Sequence, residues 1–199
     1  GSDISDYILT NVKQPFESKE GKASGHCTPV GWQFNYGSGN DGFCHDESKI
    51  EEPGEGLYMN DQGGLLVIQS GWEGRSKKMN GKMFQIFNIP QGIYDVVIDV
   101  AELATNGGGR KKAGLFISKG GEEQTPNMDA SGNWTENTNL LKSVDFYMPG
   151  ETYSENYKDQ RFVIENLTIN YEGETTLGFV VHFDSNRALK ISSIKVLLK

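Results

Sequence analysis

Ile93-Tyr94-Asp95-Val96-Val97-Ile98-Asp99-Val100-Ala101-Glu102-Leu103 is the stretch that decides the fold. Tyr94, Val96, Ile98 and Val100 fall on one side of an extended chain, and Asp95 and Asp99 on the other. That period of two marks a β-strand with one dry face and one wet face. Upstream, Met83 to Ile89 is a second apolar run, and Pro90-Gln91-Gly92 between the two combines a fixed φ with a permissive glycine, which predicts a hairpin that pairs them. Towards the C-terminus, Leu177, Phe179, Val181 and Phe183 alternate with polar or small residues. Asp184-Ser185-Asn186 then leads into Leu189 to Leu198, and the pattern predicts a closing meander. Further strands are expected over Leu65 to Gln69, Ala113 to Ser118, Leu141 to Tyr147 and Phe162 to Ile169, with weaker ones at Trp32 to Tyr36 and Tyr7 to Val12.

Eight to ten short strands, with no long segment at helical spacing, predict an all-β antiparallel sandwich of the jelly-roll kind. The chain of 199 residues is expected to form one domain, with residues 1–29 as an N-terminal extension or edge strand packed on it. Composition agrees: 25 glycines and 11% aromatic residues suit many strands joined by tight turns. The net charge of −8 comes from acids spread along the chain, which disfavours nucleic acid as a partner. No apolar run reaches the roughly 20 residues of a membrane-spanning helix.

If successive strands run antiparallel, sequence order assigns each connection to an end of the sandwich. Pro90 to Gly92, Lys119 to Asn139 and Tyr171 to Glu174 fall at one end. Gly71 to Lys82, Thr105 to Lys112, Pro149 to Asp159 and Asp184 to Arg187 fall at the other. The second group gathers Trp72, Arg75, Asn80, Arg110, Tyr153, Tyr157, Asn186 and Arg187. A sugar offers an apolar face for a ring to stack on and hydroxyls for planar donors to bind, so this mixture points to a shallow glycan site. The competing reading makes Trp72 and the tyrosines partly buried supports at the sandwich edge. Trp134, in the long polar loop Lys119 to Asn139, reads as exposed and offers a rival surface.

Other constellations carry less chemistry. Cys27 and Cys44 are expected to form a disulfide closing the loop between them, worth roughly 3 kcal/mol in the simple loop-entropy account. Zinc held with His26 and His45, or two free thiols, are the alternatives, and directly adjacent His and Cys converge poorly on one metal. Asn40, Asp41, Asp46 and Glu47 offer hard oxygens for calcium, and no other cofactor is implied. Asp95 and Asp99 read as a solvated outer face, and His182 as facing the surface or a satisfied niche. No Gly-x-Ser-x-Gly or His-Glu-x-x-His occurs. Sequons stand at Asn133 and Asn166.

The run from Asn80 to Tyr94, with its Gln85-Ile86-Phe87 strand and Pro90-Gln91-Gly92-Ile93-Tyr94 turn, resembles a stretch common in galactose-binding-domain-like jelly rolls. Leu189 to Val196 is similar to their closing strand, and Gly31-Trp32-Gln33 to their early Trp-containing strand. The likeness covers Trp32 to Leu198 and points to modules in surface lipoproteins of gut bacteria, a group without an assigned function. It implies glycan binding through loops at one end, a structural calcium in many members, and an extracellular or cell-surface location, lipoprotein-anchored, with the periplasm as second choice. The expected function is a noncatalytic carbohydrate-binding module, monomeric, with neighbouring domains in a longer chain. The alternatives are a structural or adhesion module and, third, a hydrolase with clustered carboxylates in a deep cleft.

Overall fold

The computed structural model describes residues 1–19, 21, 25–26, 29–35, 57–60, 64–69, 79–105, 111–127, 133–135, 137–146, 156–183 and 187–199. Its strands are β1 (Ser2–Asp3), β2 (Gly25–His26), β3 (Gln33–Asn35), β4 (Leu57–Asn60), β5 (Leu65–Gln69), β6 (Met79–Asn88), β7 (Gly92–Thr105), β8 (Lys111–Lys119), β9 (Leu140–Asp145), β10 (Tyr157–Ile169), β11 (Glu174–Phe183) and β12 (Arg187–Leu198). They form two antiparallel sheets. One has the order β10-β7-β12-β5-β4-β2, with β1 added along β12, and the other has the order β3-β6-β11-β8-β9. The all-β jelly-roll sandwich expected from the alternation is the architecture observed.

The core lies between the sheets. Tyr94, Val96, Ile98 and Val100 of β7 point into it, as their spacing requires, and meet Leu115 and Ile117 of β8, Leu177, Phe179, Val181 and Phe183 of β11, and Leu189, Ile191, Ile194 and Val196 of β12. On the other side of β7, Asp99 accepts from Arg161 through both carboxylate oxygens, at 2.7 and 3.0 Å, and from Ser193 Oγ at 2.8 Å. Asp95 accepts from the Asn166 N–H at 2.9 Å and lies 3.3 Å from Lys199 Nζ. Asn166 sits at φ 54° where β10 carries one residue more than β7, a bulge that turns its amide onto Asp95.

Four strand expectations need correction. β6 and β7 do not pair: β6 lies between β3 and β11, and β7 between β10 and β12. Ile89 to Gln91 is therefore a corner between sheets, held by Tyr94 Oη donating to the Pro90 carbonyl at 2.7 Å. β11 and β12 likewise belong to opposite sheets, so the closing meander is a second corner. Tyr7 to Val12 is not a strand. Ser5–Ile8 forms one helical turn, α1, initiated where Asp3 accepts from both the amide and the hydroxyl of Ser5. Finally, the described residues form twelve strands where eight to ten were expected, the two-residue pieces and β4 having no readable alternation of their own.

Residues 1–18 act as a strap across the gap between the sheets. Ser2 and Asp3 pair with Leu198 and Leu197, Ile194 donates to the Val12 carbonyl, and Gln14 donates to the Ser192 carbonyl. Leu9, Val12 and Phe16 are buried in the main core. The first residues and the end of β12 thus lie side by side, at the end of the sandwich that also carries the β6–β7 corner.

Candidate functional site

Strand register settles which connections share an end. Gln69 lies beside Ala188, Arg187 beside Thr105, and Met79 and Lys111 both lie opposite Phe183. Asp145 pairs with Gly114 near the start of β8, and Tyr157 with Leu103 near the end of β7. The strand ends that flank positions 70–78, 106–110, 147–155 and 184–186 therefore all lie at one end, as sequence order predicts. β3 runs towards that same end, since Gln33 to Asn35 pair with Phe84 to Lys82. Trp72, Arg75, Arg110, Tyr153 and Asn186 fall outside the described residues, as do Asn40, Asp41, Asp46 and Glu47, and Cys27 and Cys44. Asn80 takes the register position in β6 beside His182, which has Lys112 on its other side. Arg187 opens β12.

Two of the expected contact residues have other surroundings. Tyr157 is 5% exposed and belongs to the main core, where its ring supports β10. Inward alternation at the start of β10 accounts for this. Trp134 is partly buried and packs on the outer face of the five-stranded sheet. A Cβ added to Gly114 would stand 2.6 Å from the Trp134 ring, and the ring meets Phe116 edge-on at 6.5 Å between centroids.

That contact belongs to a larger feature that sequence reading missed. An antiparallel sheet commonly leaves its outer face wet. Here Phe84, Phe116, Ser118, Thr176, Val180 and His182 all lie on the outer side of their strands, and all are buried. His182, read as surface-facing or satisfied in a niche, is one of this dry set at 2% exposure. Gly178 lies between Phe84 and Phe116 in register, and its missing side chain leaves room for both side chains: a Cβ there would come within 2.6 Å of Phe84 Cβ and 2.9 Å of the Phe116 ring.

Residues 119–127 and 133–135 provide part of the cover. Gly120 donates to the Glu174 carbonyl at 2.8 Å and accepts from Thr176 Oγ1 at 2.6 Å, which seats the segment at the start of β11. A 3-10 turn over Glu122–Gln124 follows, with the Gly121 amide donating to Gln124 Oε1. Lys82 reaches from β6 to Thr125 Oγ1 at 2.5 Å and Asn127 Oδ1 at 3.1 Å. Burial holds the Lys82 ammonium below the ordinary lysine range, against the opposing pull of Glu122. Asn127 and Thr135 then bridge the two limbs of the segment.

Residues of the family-like stretches converge on the strap. Gln85 Nε2 donates to the Thr10 carbonyl at 2.5 Å and Gln85 Oε1 accepts from the Thr10 amide at 3.0 Å, so one carboxamide stands in for a strand neighbour. Trp32 Nε1 donates to the Asn11 carbonyl at 2.9 Å, and Gly31, at φ 79°, brings its Cα against the Thr10 side chain. Gln85, Gly31-Trp32 and the Tyr94 corner are folding devices.

Among the described residues no group of three His, Cys, Asp or Glu side chains converges to hold a metal ion, and no helix is long and apolar enough to cross a membrane. No family model and no curated protein matches the chain. Solved structures do. The carbohydrate recognition domain of Emp47p is 11% identical, with a TM-score of 0.50, over 100% of this chain and 99% of that one. The carbohydrate-binding module TmCBM61, in complex with beta-1,4-galactotriose, is 14% identical with a TM-score of 0.48, over 85% of this chain and 90% of that one. The K1 cleaved adhesin domain of Lys-gingipain from Porphyromonas gingivalis W83 is 13% identical with a TM-score of 0.49, over 86% and 92%. The end-to-end likeness to the Emp47p domain is a likeness of fold: both are β-sandwiches.

Proposed function

We propose that this chain is a noncatalytic carbohydrate-binding module of a secreted or cell-surface protein, holding a glycan with the loops at one end of the sandwich. The observation that carries the reading is the register of eight strands, β5 to β12, which gathers the flanks of the segments containing Trp72, Arg75, Arg110, Tyr153 and Asn186 at a single end, with Asn80 and Arg187 at the strand starts there. A stacking ring and planar donors are what a pyranose needs. The fold-level likeness to a carbohydrate recognition domain supports the same reading. On the opposite side of the molecule, Asp95 and Asp99 are engaged by Arg161, Ser193, Asn166 and Lys199 on an outer sheet face, which suits a structural role for them.

A glycan array followed by calorimetry on the intact chain tests this. Trp72→Ala and Arg110→Ala are each expected to weaken binding by about tenfold or more, roughly 1.4 kcal/mol. Binding untouched by both variants, or no binding at all, sinks the reading. Calcium at Asn40, Asp41, Asp46 and Glu47 is proposed on the chemistry of four hard oxygen donors in one stretch. It predicts a melting temperature that rises with millimolar calcium and falls back on chelation; an unchanged transition removes it. A Cys27–Cys44 disulfide predicts a mass shift of two hydrogens on reduction.

A second reading, a module that docks neighbouring domains, is favoured by Ile93 and Leu198. Both are exposed large apolar residues beside the chain ends, where Lys199 donates to the Ile93 carbonyl. It predicts that Ile93→Asp weakens association with a flanking domain and leaves glycan binding intact.

A further inference from the structure

We infer that a cavity in the N-terminal strap is a second ligand site, which takes a single sugar ring carrying a protonated amine. It stands apart from the loop-end glycan site proposed above. The strap meets β12 at Ser192 and Ser193, five and six residues past Arg187, which is roughly 15–20 Å from the loop end at strand rise. The cavity holds about 300 Å³, and all its lining residues fall between Asp6 and Glu17. That volume is at the lower end for small-molecule sites and suits one ring, not a chain.

The loop that walls the cavity is braced from inside. Asn11, at φ 55°, accepts from the Glu17 amide through Oδ1 at 2.7 Å and donates through Nδ2 to the Glu17 and Val30 carbonyls at 2.8 and 3.1 Å. One carboxamide thus closes residues 11–17 into a ring. Phe16 donates to the Gly64 carbonyl at 2.8 Å, and Gly64, at φ 72°, sets its bare Cα against Pro15. Behind the wall, Val12 and Phe16 are buried in the main core. A wall held at this many points loses little freedom when a ligand binds.

The lining supplies the chemistry of a cationic sugar. Both backbone groups of Thr10 are engaged by Gln85, which leaves the Thr10 hydroxyl for a ligand. Glu17 is anchored by its amide and carbonyl, and its carboxylate has no partner among the described residues. Asp6 and Lys13 pair at 2.6 Å, yet each side chain is 65% exposed, so both keep hydrogen-bonding capacity. Two carboxylates against one ammonium leave a net negative charge. Tyr7, directly after Asp6, is 88% exposed and offers a ring for a pyranose to stack on. A bare metal ion suits the cavity less well: Lys13 already occupies one of the two carboxylates, and among the described residues no three acidic, His or Cys side chains converge. A ligand that carries an ammonium within a frame of hydroxyls meets Glu17 with its charge and Thr10, Asp6 and Lys13 with its hydroxyls.

The test is a titration of the whole chain with glucosamine, followed through the backbone amides by NMR at about pH 6, where the amine is protonated. N-acetylglucosamine and glucose are titrated beside it. The expected result is saturable shifts centred on residues 6–17, with a dissociation constant of about 1 mM and glucosamine bound about fivefold or more tighter than either neutral sugar. Shifts that never saturate, or equal affinity for the three sugars, overturn the inference and leave the loop-end reading standing. Calcium alone moving the same amides at lower concentration marks a cation site and overturns it too.

Two variants are expected to act in opposite directions. Glu17→Gln weakens glucosamine binding by about tenfold at an unchanged melting temperature, because the carboxylate makes no hydrogen bond within the fold. Lys13→Gln releases Asp6 and tightens binding by about threefold. Parental affinity in Glu17→Gln, or a loss in Lys13→Gln, overturns the inference. Trp72→Ala tests the loop-end reading and is expected to leave the strap titration as it is; a strap titration that disappears in that variant shows the two sites to be one and overturns the inference.

Discussion

Gln85 shows how a single side chain substitutes for a strand. Its carboxamide is buried and pairs with both the N–H and the C=O of Thr10, so the Thr10 backbone satisfies an amide that the core side of β6 would otherwise leave without partners. Gln85→Leu keeps the volume and loses both bonds, and is expected to cost about 2–3 kcal/mol in urea denaturation. Gln85→Glu keeps the acceptor and loses the donor, so it should be destabilised as well, and more as pH rises and the carboxyl ionises. Gly178 is the second such position. With a Cβ pressed to 2.6 Å from Phe84 Cβ and 2.7 Å from the Met83 carbonyl, Gly178→Ala is expected to lower stability by about 2 kcal/mol or more, measured the same way.

At the scale of elements, the outer network of β7, β10 and β12 predicts a pH dependence. The Arg161 guanidinium first, and Ser193 after it, hold the Asp99 carboxyl below its ordinary range. A carboxyl lowered in the folded state adds stability above its unfolded pKa of about 3.9, and that stability is lost as pH falls through the lower folded value. Acid unfolding monitored below about pH 4 should therefore be less steep in Asp99→Asn. Arg161 is well exposed, so the loss at neutral pH should stay under about 1 kcal/mol. An acid limb identical to that of the parent would show that Asp99 is not coupled to folding.

The same scale shows what the amino-acid sequence could disclose. β7 was legible because one face is dry and the other wet, so its period of two is clean. Its partners were not. Pro90-Gln91-Gly92 suits a hairpin and an inter-sheet corner equally, and the choice is made by distant groups: the Thr10 backbone on Gln85, and β11 alongside β6. The capped sheet face left a signal that went unread. Met83-Phe84, Leu115-Phe116 and Phe179-Val180 are adjacent apolar pairs, and an apolar residue on each side of a strand means burial on both sides. The cover itself was opaque because segment 119–139 is polar nearly throughout and works through hydrogen bonds and one indole. For the candidate site, sequence order alone placed the loop flanks at one end, since alternation of direction needs only the correct count of strands. It could not tell Tyr157 in the core from a tyrosine at the rim, because both stand beside a strand start.

For the whole molecule, the side-by-side placement of Gly1 and Lys199 decides how it responds to load. β1 and β12 run antiparallel, so a pull that separates the two ends tears their hydrogen bonds one pair after another, like a zipper, instead of shearing all of them at once. Single-molecule stretching through the two ends should then show a first yielding event at low force that releases about the length of the strap, followed by resistance from the sandwich. A single event at high force would contradict this. A protein pulled by both ends would thus lose its N-terminal residues first, including the Leu9, Val12 and Phe16 plugs, while the far end of the sandwich was still intact: mechanically, the strap is a fuse.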